Sequence, residues 1–390
     1  MLYKKLGKNG PEVSVLSFGC MRFPAREQDL HHADFLSLPP DEEESLKLIH
    51  LAIDQGINYF DTAYPYHGGK SERILGKAVR GCRENLLLAT KLPTWMVEKA
   101  EDFERLLTEQ LRRLETDYLD FYLLHGLNKE SWPKMKGLDV FSFLERVIAD
   151  GRVRRVGFSF HDELPLFKEI VDAYDWTMCQ IQYNFFDSDY QAGRAGLEYA
   201  SDRGIGVVVM EPLRGGTLVD PIPEEVQSIW DSAPANRSAA EWALHWLFSQ
   251  PEVTTVLSSM RTEEQLLQNV KSANVPRPKS LSTEELALID SVRGVYRRLL
   301  KVDCTRCAYC MPCPQGVNIP ENFTRYNDYY LFNDKEISVL FYNHIFSPES
   351  RAANCTECGE CEPLCPQHIR IGEELKNVHA ALYRSVPSPQ

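Results

Sequence analysis

Most of the cysteines in this 390-residue chain lie in two short runs near its C-terminal end. Each run places three cysteines at intervals of three residues and a fourth just before a proline. The two runs are Cys304, Cys307, Cys310 and Cys313, and Cys355, Cys358, Cys361 and Cys365. Three cysteines at this interval can surround one corner of an iron–sulfur cubane, and the fourth can reach a second cubane. The runs therefore predict two [4Fe-4S] clusters.

The ligand rule of two-cluster ferredoxins predicts that each run contributes to both centres. The second run matches the ferredoxin spacing completely, whereas the first is one residue short before Cys313. One predicted ligand set is Cys304, Cys307, Cys310 and Cys365, and the other is Cys355, Cys358, Cys361 and Cys313. Two zinc sites are the alternative, although zinc generally takes paired Cys-x2-Cys knuckles. The three isolated cysteines are expected to be buried small hydrophobes.

Composition and net charge argue against several classes of protein. The net charge of −13 argues against a nucleic-acid partner, because phosphate backbones require clustered Lys and Arg. The polar N-terminus has no signal-peptide pattern, and no run approaches the ~20 apolar residues of a membrane helix. We therefore expect a cytoplasmic protein without a membrane partner.

The region from about residue 14 to 270 alternates short apolar runs with amphipathic stretches of helical period. Strands are predicted at 14–19, 57–60, 86–90, 119–124, 153–157, 178–182, 206–210 and 253–257. Helices are predicted between them, including 41–55, 100–114, 138–150, 191–203 and 239–249. Eight such repeats are typical of an α/β protein with a (β/α)8 TIM barrel, preceded here by a hairpin at residues 3–15. A doubly wound sheet is the competing architecture, but the Gly-rich phosphate loop that usually marks it is missing.

Ionisable side chains follow three consecutive predicted strands, where barrel enzymes place their chemistry. Asp61 and Tyr66 follow the second strand, Lys91 the third and His125 the fourth. A hydride added to a carbonyl carbon leaves charge on oxygen, which must be protonated or stabilised. A tyrosine can supply that proton near neutral pH if a cation lowers its pKa. The set therefore predicts carbonyl reduction on a small-molecule substrate.

The same residues lie in sequence segments that resemble those of the aldo-keto reductase family, and the resemblance covers about residues 1–297. The matching segments are Phe60-Asp61-Thr62-Ala63-Tyr64-Pro65-Tyr66, Ser71-Glu72, Ala89-Thr90-Lys91 and Asp120-Phe121-Tyr122-Leu123-Leu124-His125. The resemblance implies Tyr66 as the general acid, Lys91 and Asp61 as the pair that tunes it, and His125 as the group that orients the carbonyl. Because His125 is retained, reduction of C=O is favoured over reduction of conjugated C=C.

The resemblance also implies a nicotinamide site. Ser159 matches one carboxamide ligand of the family and Gln182 matches the third, whereas Phe160 stands at the ligand position that is usually Asn. Met210 occupies the position where many members stack a Tyr on the nicotinamide, and its polarizable sulfur can pack there.

The adenosine-phosphate region is expected at the last predicted strand and the helix after it. Ser259, Arg261 and Asn269 lie in the matching segment, and Gln265 replaces the Arg that commonly clamps the 2′-phosphate. Either Arg261 compensates and the cofactor is NADP, or the enzyme uses NAD.

Two domains are predicted, a barrel at residues 1–297 and a helical ferredoxin-type domain at 298–390. Helices are expected between the cysteine runs, at 319–333 and 335–346. The combination resembles the ferredoxin-bearing aldo-keto reductases and suggests a redox protein partner. Hydride carriers pass two electrons and clusters pass one. Three hypotheses therefore stay open: a carbonyl reductase with structural or redox-sensing clusters, a flavin-assisted electron relay, and a non-catalytic nucleotide-binding sensor.

Overall fold

Eight parallel strands close into a barrel in the computed structural model, which describes residues 1–25, 39–275, 281–333 and 335–384. The barrel strands are β3 (Leu16–Gly19), β4 (Tyr59–Asp61), β5 (Leu87–Pro93), β6 (Phe121–Leu127), β7 (Val156–Phe160), β8 (Met178–Gln182), β9 (Gly206–Met210) and β10 (Val253–Ser258). They pair in chain order, and β10 pairs with β3 to complete the ring. The predicted TIM barrel is confirmed.

The predicted N-terminal hairpin is also present. Its strands β1 (Tyr3–Lys5) and β2 (Glu12–Ser14) pair antiparallel, with Tyr3 opposite Ser14. Leu6 and Val13 of this segment pack with a core cluster drawn from the barrel strands, including Tyr59 and Met178. Because side chains alternate along a strand, residues two positions beyond such inward-facing residues also face the barrel axis. This alternation directs the polar residues at the strand ends into the barrel mouth.

Helices cover the outside of the barrel. They are α1 (Glu42–Asp54), α2 (Lys70–Ala78), α3 (Glu101–Leu114), α4 (Ser131–Gly137), α5 (Val140–Ala149), α6 (Leu164–Ala173), α7 (Gly193–Asp202), α9 (Ala239–Phe248) and α10 (Glu263–Ala273). The single helix predicted at 138–150 begins slightly later, because Asp139 adopts a left-handed backbone (φ 58°) between α4 and α5. A capping box formed by Ser238 and Glu241 begins α9.

The chain divides into two compact units. Among the described residues, the first comprises 1–25, 39–213, 237–275 and 281–283, and the second comprises 214–236, 284–333 and 335–384. The boundary predicted between residues 297 and 298 stays a prediction. No described helix has the length and apolar character needed to span a bilayer.

The second unit is helical. Its elements are α8 (Glu224–Asp231), α11 (Thr283–Leu299), α12 (Ile319–Leu331), α13 (Lys335–Leu340), a π-helix (Phe341–Ile345) and α14 (Ile371–Leu382). The helix predicted at 335–346 therefore changes to π-helical hydrogen bonding after residue 340. A buried cluster that includes Val317, Phe323, Tyr342 and Leu375 forms the core, and most of the run cysteines pack against it.

Candidate active site and cysteine sites

Asp61 and Lys91 form a buried ion pair at the mouth of the barrel. Asp61 ends β4 and pairs in register with Ala89, so Lys91 lies two residues further along β5 on the same face. Lys91 Nζ donates to Asp61 Oδ1 and, at 2.8 Å, to the Thr62 carbonyl. Burial raises the pKa of the Asp61 carboxyl, and Lys91 opposes that rise. The pair therefore places a fixed positive charge beside the mouth.

Tyr66 and His125 face this pair. Tyr66 begins the 3₁₀ turn Tyr66–Gly69, and Lys91 Nζ lies 5.2 Å from the centroid of its ring. The His125 ring lies 6.1 Å from the Tyr66 ring in an edge-to-face arrangement (82°). Burial, together with the charge of Lys91, holds the pKa of His125 well below its ordinary value. The structure thus brings together all four residues of the predicted catalytic set.

Gln180 is a polar partner of this set that was not predicted from the sequence. It lies in the middle of β8, and its Nε2 donates to Asp61 Oδ2 at 2.5 Å. The amide also opposes the burial-driven rise in the Asp61 pKa. The spacing in the sequence could have indicated Gln180, because Gln180 and Gln182 are two residues apart and therefore share a face of the strand.

A second missed group is a buried network behind Lys91. Gln110 of α3 donates from Nε2 to the Lys91 carbonyl (2.9 Å) and to Glu72 Oε1 (2.9 Å). Its Oε1 accepts from the Tyr122 hydroxyl at 2.8 Å. Burial raises the pKa of Glu72, although Arg113 bonds its other oxygen. The network fixes the backbone of Lys91 from outside the barrel.

Trp95 was missed as well. It lies on the 3₁₀ turn Thr94–Met96 after β5, and its ring centroid is 4.9 Å from that of His125. The ring is partly exposed (43%) and therefore offers an apolar surface next to the mouth.

The predicted nicotinamide ligands lie on neighbouring strands at the same rim. Ser159 is in register with Gln180, and Gln182 is in register with Met210. Ser159 Oγ accepts from the Gly126 amide at 2.8 Å, which leaves the serine hydroxyl as a donor. Gln182 Nε2 donates to Asp187 at 2.8 Å, and this bond fixes the orientation of its amide. This donor and acceptor set suits a carboxamide group.

Phe160, at the position of the usual Asn ligand, is turned away from the rim. Its buried ring packs edge-to-face on Phe167 of α6, with centroids 5.2 Å apart. The alternation along β7 explains this placement, because Ser159 takes the inward position.

Of the residues predicted for the adenosine end, Ser259 and Arg261 lie in the turn after β10, and Gln265 and Asn269 lie on α10. A Cβ at Gly19 would come to 2.8 Å from Ser259 Oγ, so the serine side chain would have to shift if this glycine were replaced. Arg261 donates its backbone N–H to Gln265 Oε1 at 2.9 Å. Asn269, which is buried, donates to Ser258 Oγ at 3.1 Å. Gln265 therefore caps the turn that precedes the helix.

The structure gathers the first predicted cysteine set around one cavity. Cys304, Cys307, Cys310 and Cys365 all line it, with apolar residues such as Phe323 and Ile371 on its other sides. In the part of the chain described, no three His, Cys, Asp or Glu side chains converge as they would on a single metal ion. Four thiols spread around an apolar cavity suit a cubane better than a zinc ion.

The second predicted set is more exposed. The Cys361 thiol interacts electrostatically with those of Cys355 and Cys313, which come from the two different runs. Cys358 lies exposed at the surface. Cys361 also interacts with the Cys310 thiol of the first set, so these interactions do not separate the two sets, and the crossed assignment stays a prediction. All eleven cysteines are free of disulfide bonds.

Comparison with known proteins gives two family matches and several relatives. A model described as the aldo/keto reductase family matches residues 15–293, and one described as a 4Fe-4S dicluster domain matches residues 303–369. The uncharacterized oxidoreductase YqkF of Bacillus subtilis (strain 168) is 26% identical over 75% of this chain and 96% of its own length. The methylglyoxal reductase YeaE of Escherichia coli (strain K12) is 28% identical over 61% of this chain and 80% of its own.

Among solved structures, the aldo-keto reductase AKR11C1 from Bacillus halodurans, in its holo form, superposes with a TM-score of 0.62. It is 27% identical, and the match covers 75% of this chain and 96% of that one.

Proposed function

Because the chain belongs to the aldo/keto reductase family and carries a C-terminal 4Fe-4S dicluster domain, we propose that it reduces an aldehyde or ketone to an alcohol with NADPH or NADH. We further propose two [4Fe-4S] clusters, which serve electron transfer to or from a redox protein partner, or redox sensing. The observation that carries the first proposal is the position of Lys91, bonded to Asp61 and 5.2 Å from the Tyr66 ring centroid.

The side chains supply the proton and the electrostatic stabilisation. When bound, the reduced nicotinamide provides a hydride for the carbonyl carbon. Tyr66 transfers its hydroxyl proton to the carbonyl oxygen as negative charge develops there, and the tyrosinate regains a proton from water. Lys91 stabilises that tyrosinate, and Asp61 keeps the lysine charged and oriented.

His125 orients the substrate in this proposal. Since burial lowers its pKa, the imidazole is neutral at pH 7 and donates one N–H to the carbonyl oxygen. A neutral donor leaves Tyr66 as the proton source. Trp95 adds an apolar surface beside His125, which suits the carbon skeleton of a small carbonyl compound. The relative YeaE is named as a reductase of methylglyoxal, which is such a compound.

The test is carbonyl-dependent oxidation of NADPH and of NADH by the anaerobically reconstituted full-length chain, with a panel of aldehydes and ketones. Tyr66→Phe should lower kcat by about 10²–10⁴-fold, the usual contribution of a general acid. Tyr64→Phe is the matched control, because Tyr64 is two residues away and its ring stacks under Arg113. Unchanged turnover in Tyr66→Phe would contradict the assignment. Nucleotide binding without turnover of any carbonyl would favour the non-catalytic sensor.

A further inference from the structure

The two cysteine runs are near-repeats that differ in charge. The first begins Cys-Thr-Arg-Cys and the second begins Cys-Thr-Glu-Cys, so Arg306 and Glu357 occupy equivalent positions. Both have a left-handed backbone, with φ of 55° and 58°. The two loops therefore share a conformation at this position and present opposite charges there.

Arg306 is anchored on the first run. Its backbone N–H donates to Cys304 Sγ at 3.4 Å, and its Nη2 donates to the Gly215 carbonyl at 2.8 Å. The guanidinium group is close enough to act electrostatically on the Cys304 thiol. A half-buried cation thus lies beside one predicted ligand of the first centre.

Arg214 adds a second cation at the same place. It is 1% exposed, and its Nη2 donates to Asp303 Oδ1 at 2.7 Å. The Asp303 side chain is 63% exposed, so water screens it far more than the buried arginine. Arg214 also acts on the Cys304 thiol. The charge beside Cys304 is therefore net positive.

The second run has the opposite character. Its charged residues are Glu357, Glu360 and Glu362. Glu357 is exposed and pairs with Lys376 at 2.7 Å, so its effect is reduced by that pair and by solvent. Glu362 is less exposed, and its charge acts on the Cys361 thiol and also on that of Cys365, a predicted ligand of the first centre. The surroundings of the second centre therefore disfavour added negative charge.

We propose that Arg214 and Arg306 raise the reduction potential of the centre held by Cys304, Cys307, Cys310 and Cys365 above that of the second centre. The inference rests on the proposed function, because it requires both clusters. Reduction adds one negative charge to a centre, so a nearby cation favours the reduced form. An electron on the second centre then moves to the first, which is reduced by one electron as the second is oxidised. When the pair of centres carries one electron, the first centre is therefore the reduced one.

Burial acts against this order. The first set lines an apolar cavity and includes the buried Cys365, whereas Cys358 of the second set is exposed, and a low-dielectric environment disfavours the extra charge of a reduced centre. The same low dielectric strengthens the field of a buried arginine, whereas the glutamates around the second centre are largely screened. We expect the two cations to outweigh the burial penalty.

The experiment is an EPR-monitored titration of the anaerobically reconstituted full-length chain with dithionite. Wild-type protein should show two reduction steps. Arg306→Gln should lower the higher potential and leave the lower one unchanged. We expect the equilibrium constant for electron transfer from the second centre to the first to fall by about three- to tenfold. A tenfold fall corresponds to a shift of about 59 mV for a one-electron couple.

Control variants separate charge from structure. Arg306→Lys keeps the positive charge and should restore most of the potential. Glu357→Gln, at the equivalent position, should shift only the lower potential, upward and by less. Cys365→Ser should remove the step at higher potential. The proposal is overturned if Arg306→Gln moves neither potential, or if Cys365→Ser removes the lower step. Iron content for fewer than two clusters in wild-type protein would instead contradict the proposed cluster number.

Discussion

Gln180 donates a 2.5 Å hydrogen bond to Oδ2 of Asp61, while Lys91 donates to the other oxygen of the same carboxylate. The carboxylate is thus held from both sides inside a buried mouth. Burial raises the Asp61 pKa, and both donors oppose that rise. Gln180 therefore helps to keep Asp61 ionised, and through it keeps Lys91 paired and oriented.

Replacing Gln180 with Leu should make turnover more sensitive to acid. Without the amide, the pKa of Asp61 rises further, so the carboxyl is protonated at a higher pH and Lys91 loses its partner. We expect kcat to fall by about tenfold at pH 7, the scale of one hydrogen bond to a charged group, with a larger loss at pH 5.5 than at pH 8. The measurement is a pH–rate profile.

Gln268→Leu is the control for this substitution, because Gln268 is exposed on α10 and its side-chain amide donates to Glu264 Oε1 at the surface. It should leave the profile unchanged. A loss in Gln180→Leu that is equal at every pH would contradict the role assigned to the amide.

The sequence predicted the barrel and its catalytic set because both follow from local pattern. The alternation of apolar runs with amphipathic stretches predicted the eight strands. A polar residue that follows a predicted strand was in turn predicted to lie at the rim of the barrel. Asp61 ends β4 as this position predicts, whereas β5 and β6 run two residues past Lys91 and His125 and are longer at this end than predicted. The strand around Asp61 nevertheless begins later than predicted, at Tyr59, since the ladder to β5 starts there.

Residues that act across elements could not be predicted in this way. Gln110 lies on an outer helix and reaches Lys91 only because α3 packs against β5. The partnership of Arg214 with Asp303 joins positions 89 residues apart in the chain. Neither has a periodic signal, so tertiary structure is needed to find them.

Gln110→Met should destabilise the barrel. The substitution keeps the volume but removes the acceptor for the buried Tyr122 hydroxyl and a donor to the Lys91 carbonyl. Leaving buried polar groups without these partners costs about 1–3 kcal/mol each, so we expect a loss of about 3 kcal/mol in the free energy of unfolding. Urea unfolding followed by tryptophan fluorescence measures it. Gln268→Met should stay within about 0.5 kcal/mol of wild type, and a similar result for Gln110→Met would refute the network's contribution.

His125 should not titrate in the neutral range. Burial and the charge of Lys91 lower its pKa, so the proton is lost below the ordinary value of about 6.5 and the imidazole stays neutral above it. His125→Gln removes the titrating group at this position. We therefore expect the ratio of kcat/KM between wild type and His125→Gln to stay constant, to within about twofold, from pH 6.5 to 8. A ratio that changes steeply near pH 6.5 would show an ordinary, exposed histidine.

Cysteine variants can test the crossed assignment of the cluster ligands. If Cys304 and Cys365 hold the same centre, each single Ser variant should lose about half of the iron, and the double variant should lose no more. Cys361→Ser combined with Cys365→Ser should lose nearly all of it, because these two neighbours in sequence then serve different centres.

The alternative, in which each run holds its own cluster, gives the reverse pattern. Cys361 and Cys365 would then behave as one centre, whereas Cys304 and Cys365 would each remove a different one. Cys82→Ser is the matched control, since Cys82 lies outside both runs and its thiol donates to the Val79 carbonyl. It should retain the full iron content. Iron and acid-labile sulfide assays on anaerobically reconstituted protein distinguish the two arrangements, because the Cys304→Ser/Cys365→Ser double variant keeps about half of the iron only if both residues bind the same cluster.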